Sequence, residues 1–160
     1  MTSITIRLAE EADAARLNAA LRQLSNDLND THLASNKDVE LAGFGKSPSF
    51  SALLAELQND VVGVAMFSPL YSTTRGAPGV FVSDLWVSKS QRGTGIARNL
   101  LAAVCESAAD KWGAAFLRLN VYRDNQAAIN AYEKIGFDTD LHEAVMTLNL
   151  AEFNTLRAKK

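Results

Sequence analysis

The stretch Val80–Leu101, VFVSDLWVSKSQRGTGIARNLL, constrains the fold more than any other part of the chain. An apolar run, Val80–Val87, enters a basic turn with two glycines, and a helical pattern follows from Ile96. Arg92-Gly93-Thr94-Gly95-Ile96-Ala97 offers backbone N–H groups with little side chain in the way, and glycine admits positive φ and close approach to the main chain. The following helix has unpaired N–H groups and the positive end of its dipole at that turn. Such a unit is an anion site suited to phosphate, or else a tight strand-to-helix connection with no ligand. Lys89, Arg92 and Arg98 add positive charge there, although the whole chain carries −2. So local a field suits a phosphorylated small ligand better than a nucleic-acid duplex. The stretch has no Gly-Lys-Ser/Thr ending and is not a P-loop. The third glycine or alanine of a dinucleotide fingerprint is replaced by Arg98, and the 62 residues after it are few for the domain such a fingerprint opens.

A chain of 160 residues is long enough for a real core and is expected to form one domain, 1–160. Its 48% hydrophobic and 21% charged content is that of a globular protein, not a disordered one. Met1–Glu10 lacks the basic, apolar, small-residue order of a signal peptide, and no apolar run reaches membrane-spanning length. The one cysteine, Cys105, cannot form an internal disulfide, and with only His32 and His142 beside it no metal-ligand cluster is legible. The expectation is a cytoplasmic protein without a bound metal, a membrane or a nucleic-acid partner.

Ile4, Ile6 and Leu8 alternate with polar residues and predict a strand over Ser3–Leu8. Glu10, Glu11 and Asp13 favour a helix start. Ala14, Leu17, Leu21, Leu24 and Leu28 then recur at helical spacing. Asn26-Asp27-Leu28-Asn29-Asp30 closes this helix as a solvated acidic end, or as a patch where Asp27 or Asp30 attracts a cationic substrate. A short helix is expected around Lys37–Leu41, then a loop with Gly43, Gly45 and Pro48. Phe50–Leu57 and Val61–Phe67 read as strands joined at Gln58-Asn59-Asp60. Ser68–Gly79 holds two prolines and two glycines and reads as a loop. Val80–Val87 is a strand and Ile96–Trp112 a helix, stopped by Gly113; Cys105 reads as a packing residue beside its apolar side. Ala114–Val121 is a further strand. Asp124 or Asn125 caps a short helix to Ile135, ended by Gly136 with Phe137 folding back. Ala144–Leu150 is expected as a last strand, and the end, with Lys159-Lys160, as frayed. The order β-α-(α)-β-β-β-α-β-α-β implies a mixed α/β domain around one sheet.

On the short helix Asn125, Ala128 and Tyr132 share a face. Ala128 is small enough for something to run close by, with polar groups at either end of the gap. The same residues read equally well as a capping Asn and an amphipathic core Tyr.

These pieces, in this order, resemble the GCN5-related N-acetyltransferase superfamily. Its cofactor motif, Arg/Gln-x-x-Gly-x-Gly/Ala, is matched by Arg92-Gly93-Thr94-Gly95-Ile96-Ala97, and a second motif by Asn125–Phe137. The resemblance spans nearly the whole chain. It implies a mostly antiparallel sheet, flanked by helices, whose central parallel strands splay apart; here these would be Val80–Val87 and Ala114–Val121. Gly43–Phe50, Val62–Phe67 and Ser83-Asp84-Leu85-Trp86-Val87 look like the diamine and thialysine acetyltransferase branch, in which a homodimer is common. Ser83 stands where that branch carries the first of two acidic residues, leaving Asp84, and Leu28 takes the place of the usual acidic residue at the end of the first helix, with Asp27 beside it.

By that resemblance the cosubstrate is acetyl-CoA. Its diphosphate would rest on the Gly93–Ala97 amides, with Arg92, Arg98, Asn125 and Ala128 nearby. Its pantetheine arm would run along Leu85, Trp86 and Val87, whose amides can polarise a thioester carbonyl. Tyr132 would protonate the departing thiolate. Asp84 is the candidate base or cation anchor for a small amine, with Asp27, Ser83 and Asn120 as further substrate contacts. Transfer would be direct, through a ternary complex and without an acyl-cysteine. The alternatives are an acetyltransferase for an amino acid or a peptide amine, and a non-catalytic CoA-binding module.

Overall fold

The computed structural model describes residues 3–158, so Lys159-Lys160, expected to fray, lie outside the described residues. The chain divides into two compact units, Met1–Val121 and Tyr122–Lys160.

The first unit is built on a five-stranded sheet in the order β1-β2-β3-β4-β5. The strands are β1 (Thr5–Leu8), β2 (Ser51–Leu57), β3 (Asp60–Ser72), β4 (Ala77–Val87) and β5 (Leu117–Leu119). The first four pair antiparallel, and β5 pairs with β4 in parallel. Helices α1 (Ala14–Leu28), α2 (Asn36–Phe44) and α3 (Ile96–Trp112) complete it. Alternation along the strands sends successive side chains to opposite faces. Ala52, Leu54, Val64 and Trp86 pack with Ala14, Leu17, Ala20 and Leu21 of α1 and Val39 of α2. On the other side Gly63 lies against Ile96 and Leu100 of α3, and Phe67 meets Trp112 edge-on at 6.0 Å. Leu17, Leu54, Val64, Phe67, Leu100 and Val104 are fully buried. At about 1.5–3 kcal/mol for each large apolar side chain removed from water, burial on both faces of this sheet dominates its stabilisation.

Asp13 does more than complement a dipole. It closes a 3-10 turn, Glu11–Asp13, is buried, and accepts from both terminal nitrogens of Arg7 at 2.7 and 2.9 Å. Arg7 also reaches Glu56 of β2, and Arg16 of α1 bridges the same two carboxylates. The two arginines hold Asp13 well below the usual carboxylate range, chiefly through the Arg7 bond, and Glu56 below it too. Helix α2 is longer than expected and starts at a capping box: Ser35 accepts from the Asp38 N–H, and the Asp38 carboxylate accepts from the Ser35 N–H.

The largest correction to the sequence reading inside this unit is Ser68–Gly79. Apart from a tight turn it is not a loop but the far half of a long hairpin, with Pro69 opposite Val80 and Pro78 opposite Tyr71. Proline costs nothing at these positions. The Val80 N–H donates to Phe116 and the Pro78 carbonyl accepts from Ala115, so both residues turn their backbone towards the β5 side. Their partners across the hairpin therefore turn away from β4 as well, and no ladder bond needs a proline N–H. β5 is in turn shorter than Ala114–Val121, with three ladder residues.

In the second unit, α4 (Gln126–Ile135) starts at Asn125, whose side chain accepts from the Ala128 N–H. It ends at Gly136 in the left-handed region. The Gly136 N–H donates to Glu133, the Phe137 N–H to Tyr132, and the Tyr132 and Phe137 rings meet at 5.6 Å. The expected strand at Ala144–Leu150 is absent: residues 144–149 have no ladder, and α5 (Leu150–Ala158) follows. Val145, Met146 and Leu148 are exposed. A β pattern becomes a strand only where another strand supplies hydrogen bonds and cross-strand packing.

Candidate active site

The site begins with a defect in the β3–β4 ladder. Met66 pairs with Asp84, but Phe67 pairs with Val82, leaving Ser83 as an extra residue in β4. Such a bulge reverses which edge the following residues address. The Ser88 N–H donates to the Val62 carbonyl at 2.8 Å. By antiparallel alternation, Trp86 and Asp84 then address β3, while Val87 and Leu85 turn their backbone groups the other way. On that side β5 has already gone: its pairing with β4 ends at Val82–Leu119. The two parallel strands thus part beyond Val82. Leu85 and Val87 present main-chain groups along the opened edge, and exposed Asn120 follows the end of β5.

Beyond β4, a 3-10 turn at Lys89–Gln91 leads into the glycine turn. Gly93 and Gly95 have φ of 78° and 89°, which a side chain tolerates poorly, and a Cβ on either would meet no atom within 4 Å. Their presence is thus required by backbone conformation, and the space above the turn is open. Gly93, Thr94 and Gly95 are exposed, whereas Ile96 is buried and anchors the start of α3. The Thr94 hydroxyl donates to the Gln91 carbonyl at 2.6 Å, closing the turn beneath. The first helical bond runs from the Asn99 N–H to the Gly95 carbonyl. The N–H groups before Asn99 therefore lack partners inside the helix, at its positive pole. Arg98 is exposed on the first turn of α3.

Arg92 is held at two points. Its Nε donates to the Val87 carbonyl at 3.0 Å, and its Nη2 pairs with Asp27 at the end of α1. Asp27 also accepts from Trp86 Nε1 at 3.1 Å, and Lys89 lies 3.8 Å away. Asp27, read in the sequence as a possible cation contact, is thus tied to the cofactor-motif arginine.

Asp84 is half-buried. Burial raises its pKa above the usual carboxylate range, and the charge of His32 opposes this. His32 had no sequence signal beyond being a histidine, because it stands 52 positions from Asp84. Its place is set by a polar network. The buried Asn18 amide nitrogen donates to the Ala34 carbonyl and to Asn36 Oδ1, which leaves the Asn18 Oδ1 facing His32 Nε2 at 2.8 Å, while His32 Nδ1 faces the Ser25 hydroxyl at 3.0 Å. Ser83 is exposed, and its hydroxyl donates to the Met66 carbonyl.

In the second unit Asn125 is the cap of α4, Ala128 is its capped amide, and Tyr132 packs on Phe137. Burial raises the Tyr132 pKa. Cys105 is exposed on α3, not packed as the sequence suggested. Among the described residues no group of acidic, histidine or cysteine side chains could hold a metal, and no helix is long and apolar enough to cross a membrane.

A strand that parts from its parallel neighbour, followed by a glycine turn that opens a helix, is the arrangement that the motifs of the sequence imply. Comparison makes this specific. Residues 17–137 match the model of the acetyltransferase (GNAT) family. The chain is 32% identical over 154 residues to the thialysine N-epsilon-acetyltransferase of Sus scrofa, covering 90% of this chain and 89% of that one. It is 32% identical over 146 residues to the enzyme of that name from Mus musculus, covering 85% of each. Among solved structures, an integron cassette protein of V. cholerae superposes with a TM-score of 0.81 at 19% identity, covering 99% of this chain and 100% of that one. An aminoglycoside N-acetyltransferase in complex with CoA does so at 0.75 and 19%, covering 94% and 96%. The chain belongs to the acetyltransferase (GNAT) family and is an acetyltransferase enzyme.

Proposed function

We propose that this protein transfers an acetyl group from acetyl-CoA to a primary amine of a small cationic substrate, a diamine, polyamine or lysine analogue, by direct transfer in a ternary complex within one domain, 1–160. The observation that carries the reading is the parting of β4 from β5 beyond Val82–Leu119, next to an open glycine turn at the start of α3. The similarity to thialysine N-epsilon-acetyltransferases supports the choice of substrate class.

The residues fit the cosubstrate. The amides of Gly93, Thr94, Gly95, Ile96 and Ala97 would hold its diphosphate, since free helix N-terminal N–H groups bind anions. Arg92 and Arg98 add charge. The backbone of Leu85 and Val87, with Trp86 between them, would hold the pantetheine arm as an added strand. By the same resemblance Asn125 and Ala128 are assigned to the cosubstrate as well. Acetyl-CoA supplies an activated thioester.

An alkylammonium has a pKa of about 10.4 and must lose a proton before it can attack. Asp84 is assigned that proton, directly or through water. The rise of its pKa through burial brings a carboxylate nearer to neutrality, where a base is more effective. Ser83 and Asn120 complete the proposed acceptor contacts; Asp27, which the sequence also offered for that role, is engaged by Arg92 and Trp86. Tyr132 donates to the leaving thiolate; a phenol carries its proton at neutral pH, and burial raises the Tyr132 pKa further. A homodimer in the cytoplasm, without a metal, belongs to the same reading.

A second reading, an amino acid or peptide amine as acceptor, is favoured by Ser83, which leaves one carboxylate where two would suit a polycation. A panel of diamines, polyamines, lysine analogues, amino acids and peptides, assayed by release of free CoA thiol, tests both. Turnover confined to peptides or α-amines would replace the first reading by the second. Tight CoA binding without turnover of any amine would leave only a binding module.

A further inference from the structure

We infer that Asp27 is a positioning residue of the cofactor turn, acting through Arg92, and that its carboxylate is not offered to the acceptor amine. The inference rests on the proposed CoA reading of the turn, and it replaces the acceptor-side role suggested by the acidic end of α1.

Three donors converge on Asp27. Arg92 Nη2 and Trp86 Nε1 both reach Oδ2, at 2.5 and 3.1 Å, and Lys89 Nζ lies 3.8 Å from Oδ1. The Asp27 side chain is 17% exposed, against 49% for Arg92. The carboxylate is therefore the sheltered partner, with two cations already beside it. A substrate ammonium arriving there would have to compete with Arg92 and Lys89 for the same oxygens, against like charge.

What Asp27 gains for the site is seen at the other end of Arg92. The guanidinium uses Nε to bond the Val87 carbonyl, so one side chain spans from α1 to the last residue of β4. Val87 is one of the two residues whose backbone turns to the parted edge. Arg92 thus occupies its carbonyl and leaves its N–H to that edge. Arg92 is also the residue from which the Gly93–Gly95 turn departs, in an extended conformation with φ −68° and ψ 146°. Fixing its side chain at both Asp27 and Val87 fixes where the turn begins and how its amides point. A released guanidinium would free the Val87 carbonyl, add entropy to the turn and leave Asp27 exposed to other cations. Pre-organisation of this kind is read as ligand affinity.

The test is calorimetric titration of the full chain with CoA, together with steady-state kinetics towards the best amine of the panel. The variants are Asp27→Asn, Arg92→Gln and the double variant. Asp27→Asn keeps an oxygen for Trp86 and removes only the charge. We expect about a three- to tenfold weaker CoA Kd in each single variant, in line with the net worth of one typical hydrogen bond at a partly exposed pair. The acceptor KM should stay unchanged. The double variant should be no worse than the weaker single one, because the two side chains act as a unit. A rise in acceptor KM with unchanged CoA affinity in Asp27→Asn would overturn the inference, as would additive losses in the double variant. Should Asp27→Asn fail to fold, Arg92→Lys keeps the charge but loses the bond to Val87; wild-type CoA affinity there would overturn it equally. If the wild-type protein itself does not bind CoA, the reading of the turn fails instead, and the two failures are thereby distinguished.

Discussion

Gly95→Ala isolates what the glycine turn contributes. Gly95 lies at φ 89° and ψ 0°, and a Cβ there would meet no atom within 4 Å. Steric collision therefore adds nothing, and the whole effect comes from forcing an L-residue into the left-handed region. That costs about 1–2 kcal/mol. The cost can surface in two ways. If the turn keeps its shape, the fold carries the strain, and Tm should fall by about 2–8 °C for a chain of this size. If the turn relaxes to negative φ, Tm is spared, the amides no longer converge, and CoA binding should weaken by about 5–30-fold. The two losses should together amount to about 1–2 kcal/mol. Calorimetric unfolding and CoA titration on the same sample measure both. Gly76→Ala is the control: Gly76 has φ 63°, also with nothing within 4 Å of a Cβ, but sits in the β3–β4 hairpin turn. It should lose stability and retain CoA affinity. Wild-type Tm together with wild-type CoA affinity in Gly95→Ala would refute the argument, and so would an equal loss of CoA affinity in Gly76→Ala.

Tyr132→Phe should lower kcat by about 10²–10⁴-fold with little change in KM, as expected when a proton donor acts mainly in the transition state; unchanged turnover removes Tyr132 from that role. Asp84→Asn should abolish most turnover while raising Tm at neutral pH. The sign follows from burial: Asp84 titrates above its unfolded value, so the fold loses stability as pH rises from the unfolded to the folded value, and the amide escapes that loss. Melting curves of the two proteins should converge at low pH, and the wild-type rate should fall as pH drops through the raised Asp84 value. Asp13 and Glu56 have the opposite sign. Both titrate below their unfolded values, so their stabilisation is complete above those values and is lost as pH falls towards the folded ones. Tm should therefore decline below about pH 5. Arg7→Gln should flatten that decline and cost about 1–3 kcal/mol, towards the lower end because Arg7 is about a third exposed.

Local chemistry made much of this protein legible before any coordinates. The two glycines after Arg92 marked a turn that admits positive φ, and Ile96 to Trp112 read as one helix with Gly113 as its stop. Asp124-Asn125, Gly136 and Phe137 announced both ends of α4, because caps are written in residues adjacent to the amides and carbonyls they satisfy, and the structure chose Asn125 of the two candidate caps. Pairing was another matter. Pro69 and Pro78 suggested a loop because a proline removes a ladder bond, yet whether that bond is needed depends on which edge the residue addresses, and only the register of β3, β4 and β5 decides that. The pattern at Ala144–Leu150 promised a strand, but residues 144–149 have no neighbour to supply its hydrogen bonds and Leu150 opens α5.

The acetyltransferase family was legible as a resemblance of motifs, and the sequence by itself determined the strand, the glycine turn and the helix that follows. Each depends on backbone preferences and periodicity within a few residues. Only the tertiary structure decided that Ser83 is a bulge, that β4 parts from β5 beyond Val82, that His32 bears on Asp84, and that Asp27 is committed to Arg92 and Trp86. Asp27 and Arg92 are 65 positions apart. The free energy of a charge depends on what lies within a few ångströms of it, and for distant residues that neighbourhood exists only once the sheet has formed and α1 has packed on it.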